Sequence, residues 1–263
     1  MFKRSPSCRV ALSLLALSAL LAVSACGGGD DDAVVLTPLP TGSGLYFTDG
    51  NTGFSDANAN FYKVNEISGE TLLQPTNRGS DAGRCPALFA LDARPDGMVL
   101  AVARYTAALY EADTRATACK LFASLPEVMT ALAVRADGHL FTVSATNKLY
   151  ELDAQARVLS ATTLRCPATA PTCKITGIDF APDGTLYSLA LGGLWGRIDA
   201  ATAMVVAIKP NVAFSDDFDI DALGKVRGLA GGEFRSFDLA GNPVGRAINV
   251  YGGTAFATGV VYR

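Results

Sequence analysis

Three aspartates, Asp92, Asp179 and Asp219, occupy the same step of a motif that recurs along the chain, with Ala133 and Val261 at that step in two further copies. If the step faces a common axis, three carboxylates converge, and hard oxygen ligands of that kind suit Ca²⁺. The competing reading is local: each carboxylate pairs with backbone in its own repeat, as repeated residues usually do. Other chemistry is scarce. His139 is the single histidine, so His-dependent triads and multi-histidine metal sites are hard to build. Four cysteines of the body, Cys85, Cys119, Cys166 and Cys173, permit three pairings. Cys166 and Cys173 bracket a short Pro-containing loop and form an easy bridge, which leaves Cys85 for Cys119. Neither pair has the CxxC spacing of a zinc site.

These residues are set in a repeat. The turns Pro95-Asp96-Gly97, Ala136-Asp137-Gly138, Pro182-Asp183-Gly184 and Ala222-Leu223-Gly224 place glycines 41, 46 and 40 residues apart. Each turn is flanked by short apolar strands, and further on comes a third strand ending in Asp113, Asp153, Asp199 or Asp238, then a turn and a fourth strand. Those aspartates precede turns, where a carboxylate accepts backbone N–H groups, so a structural role is expected. Trp195 aligns with Phe61, Leu109, Leu149 and Phe234, which marks it as a core residue. Four strands per unit of about 40–45 residues is the signature of propeller blades.

A fifth copy is split between the ends. Gly44 to Thr48, Phe61 to Asn65 and Thr71 to Gln74 read as second, third and fourth strands, and Thr258 to Tyr262 matches Thr176 to Phe180 as the missing first strand. The expected fold is all-β: a five-bladed β-propeller over residues 44–263, closed by its C-terminal strand, which removes open sheet edges.

The N-terminus reads as an address. Lys3, Arg4 and Arg9 precede an uncharged apolar run from Val10 to Ala25 that ends in small side chains, the pattern of a signal peptide over residues 1–25 and too short for a spanning helix. Leu21-Ala22-Val23-Ser24-Ala25-Cys26 resembles the bacterial lipobox, whose cysteine is acylated, and implies a membrane anchor on Cys26. Gly27 stands where an Asp would favour the inner membrane, so that resemblance points to the outer one. Residues 26–43, with their Gly, Asp, Pro and Thr, read as a flexible tether.

The unit Ile175 to Asp199, with Gly-Ile-Asp-Phe-Ala-Pro-Asp-Gly-Thr-Leu-Tyr at its core, resembles repeats of uncharacterised bacterial propellers and, more loosely, NHL and gluconolactonase-like blades. The resemblance implies architecture alone, because the Glu, Asn and Asp metal site of gluconolactonase-like enzymes has no counterpart on the five-blade pattern. A formal charge of −3 over 263 residues lacks the basic stripe nucleic acid needs. The expected role is an envelope binding module for a protein, glycan or small molecule. A hydrolase or lactonase using loop-face or channel carboxylates is the alternative. The second-to-third and inter-blade loops are long and dissimilar, and they gather Asp49, Phe54, Asp56, Asp81, Arg84, Phe214, Asp216 and Asp217, with Arg104 and Tyr105 nearby. Loops on a rigid scaffold are where binding usually resides, so this end is the expected binding face.

Overall fold

The computed structural model describes residues 36–38, 44–48, 61–68, 70–73, 85–170, 172–212, 217–230, 233–249 and 259–262. Among them are five four-stranded antiparallel sheets. Blade 2 is β4 (Leu88–Ala93), β5 (Val99–Ala103), β6 (Ala108–Asp113) and β7 (Ala118–Ser124). Blade 3 is β8 (Met129–Val134), β9 (Leu140–Ser144), β10 (Lys148–Leu152) and β11 (Val158–Thr163). Blade 4 is β12 (Ile175–Phe180), β13 (Leu186–Ala190), β14 (Leu194–Asp199) and β15 (Met204–Lys209). Blade 5 is β16 (Phe218–Ile220), β17 (Val226–Ala230), β18 (Glu233–Phe237) and β19 (Ile248–Asn249).

Blade 1 takes β1 (Leu45–Thr48), β2 (Phe61–Val64) and β3 (Thr71–Leu73) from the front of the chain, and β20 (Gly259–Tyr262) from the back. β20 pairs with β1 from Leu45 opposite Tyr262 to Thr48 opposite Gly259. The first strands β20, β4, β8, β12 and β16 each touch the next, and β16 returns to β20. The chain is a five-bladed β-propeller.

Strand position sets composition. The second strands β5, β9 and β13 are buried along their whole length, because neighbouring blades cover both of their faces, and they read as apolar runs without alternation. The outer β11 is exposed throughout. Each first-to-second turn uses a glycine in the left-handed region, Gly97, Gly138, Gly184 and Gly224, a conformation glycine adopts without steric cost. The aspartates at the ends of third strands do cap turns: Asp113 accepts from Arg115 N and Ala116 N, Asp153 from Gln155 N and Arg157 N, and Asp199 from Ala201 N and Thr202 N.

Trp195 is fully buried between blades 4 and 5, 4.8 Å from the Phe218 ring, and its Nε1–H donates to Leu239 O. Disulfides join Cys85 to Cys119 and Cys166 to Cys173. The first ties the lead into β4 to the outer strand of the same blade, and the second closes the loop between blades 3 and 4.

Gly193, in the second-to-third turn of blade 4, is fixed on two counts. Its φ is +81°, and an added Cβ would stand 2.5 Å from Val212 O. Gly193→Ala is therefore expected to lower unfolding free energy by about 1–2 kcal/mol from the backbone conformation alone, and further as residue 212 is displaced. Urea denaturation checks this.

Candidate functional site

All first strands run in one direction, so the propeller has two different ends. The first-to-second and third-to-fourth turns form one, the turn end. The second-to-third and inter-blade loops form the other, the loop end.

At the loop end the same backbone tie recurs: Arg104 N donates to Ala87 O, Ala145 N to Val128 O and Leu191 N to Lys174 O, at 2.7–2.9 Å. It fixes each second-to-third turn against the lead into its blade's first strand. Between blades 2, 3 and 4 these ties border a cleft of about 230 Å³, whose lining includes Phe89, Thr130, Asn147, Lys174, Ile175 and Leu191. Thr130 Oγ1 donates to Ile175 O at 2.9 Å across the boundary of blades 3 and 4. The Arg104 guanidinium lies over the rings of Phe89 and Tyr105, 5.8 and 5.5 Å from their centroids. A cation is thus held by aromatic faces against Phe89, which lines the cleft, and the exposed Lys174 is itself a lining residue.

Behind the blade 3 wall, Glu127 accepts from Lys148 Nζ and Tyr150 OH at 2.6 Å and from Thr146 Oγ1. Chiefly the Lys148 hydrogen bond holds the Glu127 carboxyl down to about 2. This network braces the turn from which Ser144 and Asn147 face the cleft. The cleft has apolar lining residues, amide and hydroxyl groups and the cation of Lys174, a composition suited to holding a polar or anionic group against an apolar surface.

The axis is built differently. Asp92 Oδ2 accepts from Val134 N at 2.5 Å, Asp179 Oδ2 from Ile220 N at 2.5 Å and Asp219 Oδ2 from Tyr262 N at 2.9 Å. Each acceptor reaches the first strand of the following blade, one residue beyond its own equivalent. The other oxygen of Asp92 and of Asp179 accepts from the next residue of its own strand, Ala93 N and Phe180 N. Backbone pairing therefore does engage these carboxylates, but between blades as well as within them. Ala133 and Val261 hold the step where no carboxylate crosses. Among the described residues no group of three or more His, Cys, Asp or Glu side chains is arranged to hold a metal ion.

Asp217 stands differently from its sequence assignment to the binding loops. It is 1% exposed, and its Oδ2 accepts from Val260 N at 3.1 Å. An added Cβ on Gly177 of blade 4 would lie 2.8 Å from its Oδ1. It faces inward because it is two residues before Asp219, on the same side of an extended strand. Burial, foremost, pushes the carboxyls of Asp179, Asp217 and Asp219 well above the ordinary carboxylate range, and the negative charge of Asp92 adds to the effect on Asp179 and Asp219.

Of the other residues assigned to the loop end, Arg104 and Tyr105 lie there beside the cleft, and Tyr105 is 67% exposed. Asp49, Phe54, Asp56, Asp81, Arg84, Phe214 and Asp216 lie outside the described residues, as does Cys26. His139 is at the turn end, 3.0 Å from Glu151 Oε1 and 3.1 Å from Arg135 Nη2. The sequence reading missed Phe89, Thr130, Asn147, Lys174 and Leu191. The signal that would have found part of the cleft is positional: Leu191 and Ala145 occupy the second-to-third turn step already singled out at Arg104.

No family model matches the chain and no curated protein sequence matches it. Solved structures do share the fold. Over 83% of this chain and 97% of the other, it is similar to a chain of the nidogen/laminin complex, with a TM-score of 0.52 at 10% identity. It is also similar to a streptogramin B lyase, with a TM-score of 0.41 at 14% identity over 60% of this chain and 53% of that one. A third likeness is to virginiamycin B lyase from Staphylococcus aureus, with a TM-score of 0.45 at 13% identity over 82% and 73% of the two chains. At such identities the likeness concerns the propeller fold and nothing of ligand or reaction.

Proposed function

We propose that this chain is a lipid-anchored binding module of the bacterial cell envelope, attached through Cys26 to the outer membrane, whose loop end receives the ligand. The observation that carries the binding reading is the cleft between blades 2, 3 and 4, lined by Lys174, hydroxyl and amide groups and apolar side chains, with Arg104 stacked on its lining residue Phe89. At about 230 Å³ it is below the range of roughly 300–1,000 Å³ usual for drug-sized ligands. It suits a small polar molecule, a terminal sugar or one side chain of a protein partner better than an extended substrate. The axial carboxylates are an unpromising basis for hydrolysis, since Asp179 and Asp219 are buried, Asp92 is half-buried and all three are engaged by backbone N–H groups, which leaves them little freedom to activate water.

The test compares the two ends of the propeller. Partner recovery from envelope extract by the full chain is expected to fall strongly with Arg104→Glu and with Lys174→Glu, and with charge reversal at Asp81 or Asp216. Tm should stay nearly constant, since surface changes away from special features usually cost under about 0.5 kcal/mol. Asp137→Arg and Asp183→Arg, at the turn end, are expected to leave recovery intact. Loss confined to these two places the binding face at the wrong end.

A further inference from the structure

The N-terminal chain meets the propeller at a defined place. Thr37 N donates to Asp113 Oδ2 at 3.0 Å, and Arg115 Nη2 donates to Pro38 O at 3.1 Å. The segment read as an unpacked tether is thus pinned, at residues 37 and 38, to the third-to-fourth turn of blade 2. The topology agrees: β1 is a second strand, and second strands begin at the turn end. Nine residues lie between Cys26 and Leu36, a length of chain that reaches at most about 35 Å. The stretch of chain that leads back toward Cys26 therefore joins the propeller at its turn end.

A second, independent feature lies at that same end. The exposed tips of the repeated first-to-second turns are Asp96, Asp137 and Asp183, each accepting a backbone N–H two residues on. In blade 5 the tip is Leu223, 93% exposed. The turn keeps its shape because Asp221 Oδ1 accepts from Leu223 N and Lys225 N instead. In blade 1 the third-to-fourth turn carries Ile67, 85% exposed, two residues after Asn65, whose Oδ1 accepts from Ile67 N and Ser68 N. Blades 2, 3 and 4 place Arg115, Gln155 and Ala201 at that step.

The turns that carry the two apolar tips are linked. The Arg227 guanidinium donates through Nε to Glu66 Oε2 at 3.0 Å and through Nη1 to Asp221 Oδ2 at 2.5 Å, so one side chain ties the two turns together. It also offsets the two acids next to the tips, which lowers the electrostatic cost of bringing this region to a lipid headgroup layer.

We propose that the turns carrying Ile67 and Leu223 are the surface on which the propeller rests against the lipid bilayer holding Cys26, so that the loop-end cleft faces away from that bilayer. This rests on the lipid-anchor reading. Two aliphatic side chains bind a membrane weakly by themselves, but the short tether raises their effective concentration at the surface, which converts weak contact into docking.

The full chain, expressed in a Gram-negative host and recovered from its envelope, is reconstituted into vesicles of phosphatidylethanolamine with a minority of phosphatidylglycerol. Tryptophan is placed in turn at positions 67, 223 and 191, as Ile67→Trp, Leu223→Trp and Leu191→Trp, all at exposed positions. The buried Trp195 of the unaltered chain gives the background. With brominated lipid in the vesicles, Ile67→Trp and Leu223→Trp are expected to lose a large part of their added emission and Leu191→Trp none. Quenching at 191 in place of 67 and 223, or at none of the three on vesicle-bound protein, overturns the docking face. The mass of the N-terminal peptide reports lipid on Cys26 separately. If it carries none, the anchor reading fails alone. The quenching is then repeated on chain whose Cys26 thiol is coupled to a maleimide-bearing lipid, and there an unquenched Ile67→Trp still refutes the docking face.

Discussion

Deleting Gly259 to Arg263 is expected to abolish cooperative folding. The loss is larger than its length suggests because β20 is the first strand of blade 1 and the last link of the inner ring. Its ladder to β1 runs over all four residues. Val260 and Val261 are 1% and 0% exposed. Val260 packs with Leu45, Phe47 and Phe234, and Val261 with Leu88 and Leu91. Burial of two such side chains contributes about 1.5–3 kcal/mol each. On its other flank the strand satisfies two buried carboxylates, with Val260 N donating to Asp217 and Tyr262 N to Asp219, and the Arg227 guanidinium lies 3.8 Å from the Tyr262 ring centroid. Each buried polar group left without a partner costs about 1–3 kcal/mol. Together these match the 5–15 kcal/mol that holds a typical domain folded. The deletion also bares the edge of β1, an invitation to aggregate. Circular dichroism and calorimetry decide the matter: a soluble truncation with a single sharp melting transition would show that ring closure is dispensable.

The repeat made most of this architecture readable. Turn glycines and turn-capping aspartates are dictated by backbone conformation, so they recur wherever the turn recurs, and the split fifth blade followed from matching Thr258 to Tyr262 with Thr176 to Phe180. Both disulfides were legible because four body cysteines leave few pairings. What escaped were contacts between blades. Asp92 and Val134 are 42 residues apart in sequence, and nothing in either blade alone shows that one accepts from the other. Asp217 read as a loop acid because it closes a long irregular segment, yet strand alternation with Asp219 already aimed it inward. The cleft was hidden for a different reason: Ala145, Ile175 and Leu191 have no chemistry to announce, and three blades must be assembled before their concavity exists. Leu223 was in plain view as the tip that breaks the Asp-Gly pattern, but its meaning depends on where the N-terminal chain joins the body.

The axial carboxylates give the second large expectation: the propeller is most stable in mild acid and loses stability as pH rises. Burial is the leading cause of the raised carboxyls of Asp179, Asp217 and Asp219. Like charge adds to it, from Asp92 and Asp219 on Asp179 and from Asp92 on Asp219, while the backbone N–H groups of Ile220, Phe180, Val260 and Tyr262 pull the other way. A carboxyl raised in the folded state binds more protons there than in the unfolded chain. Its contribution is then complete below the unfolded value near 4, and it is lost as pH climbs through the folded value. The acids held by cations have the opposite sign. Glu127, held to about 2 by Lys148 foremost, and Asp137, held to about 2 by Arg135 foremost, contribute fully above their ordinary values and lose that contribution only as pH falls below about 4. From about pH 5 to about pH 8 their effect is constant, and the raised axial carboxyls contribute a falling slope. Unfolding free energy from urea titrations should therefore decline as pH rises above about 5. Asp92→Asn should flatten that decline by removing a charge that faces Asp179 and Asp219, at the expense of some stability at pH 5 because Val134 N loses an anionic acceptor. A profile that is level or rising over this range in the unaltered protein would mean that the axis tolerates its full complement of charge and that burial does not raise these carboxyls in the folded state.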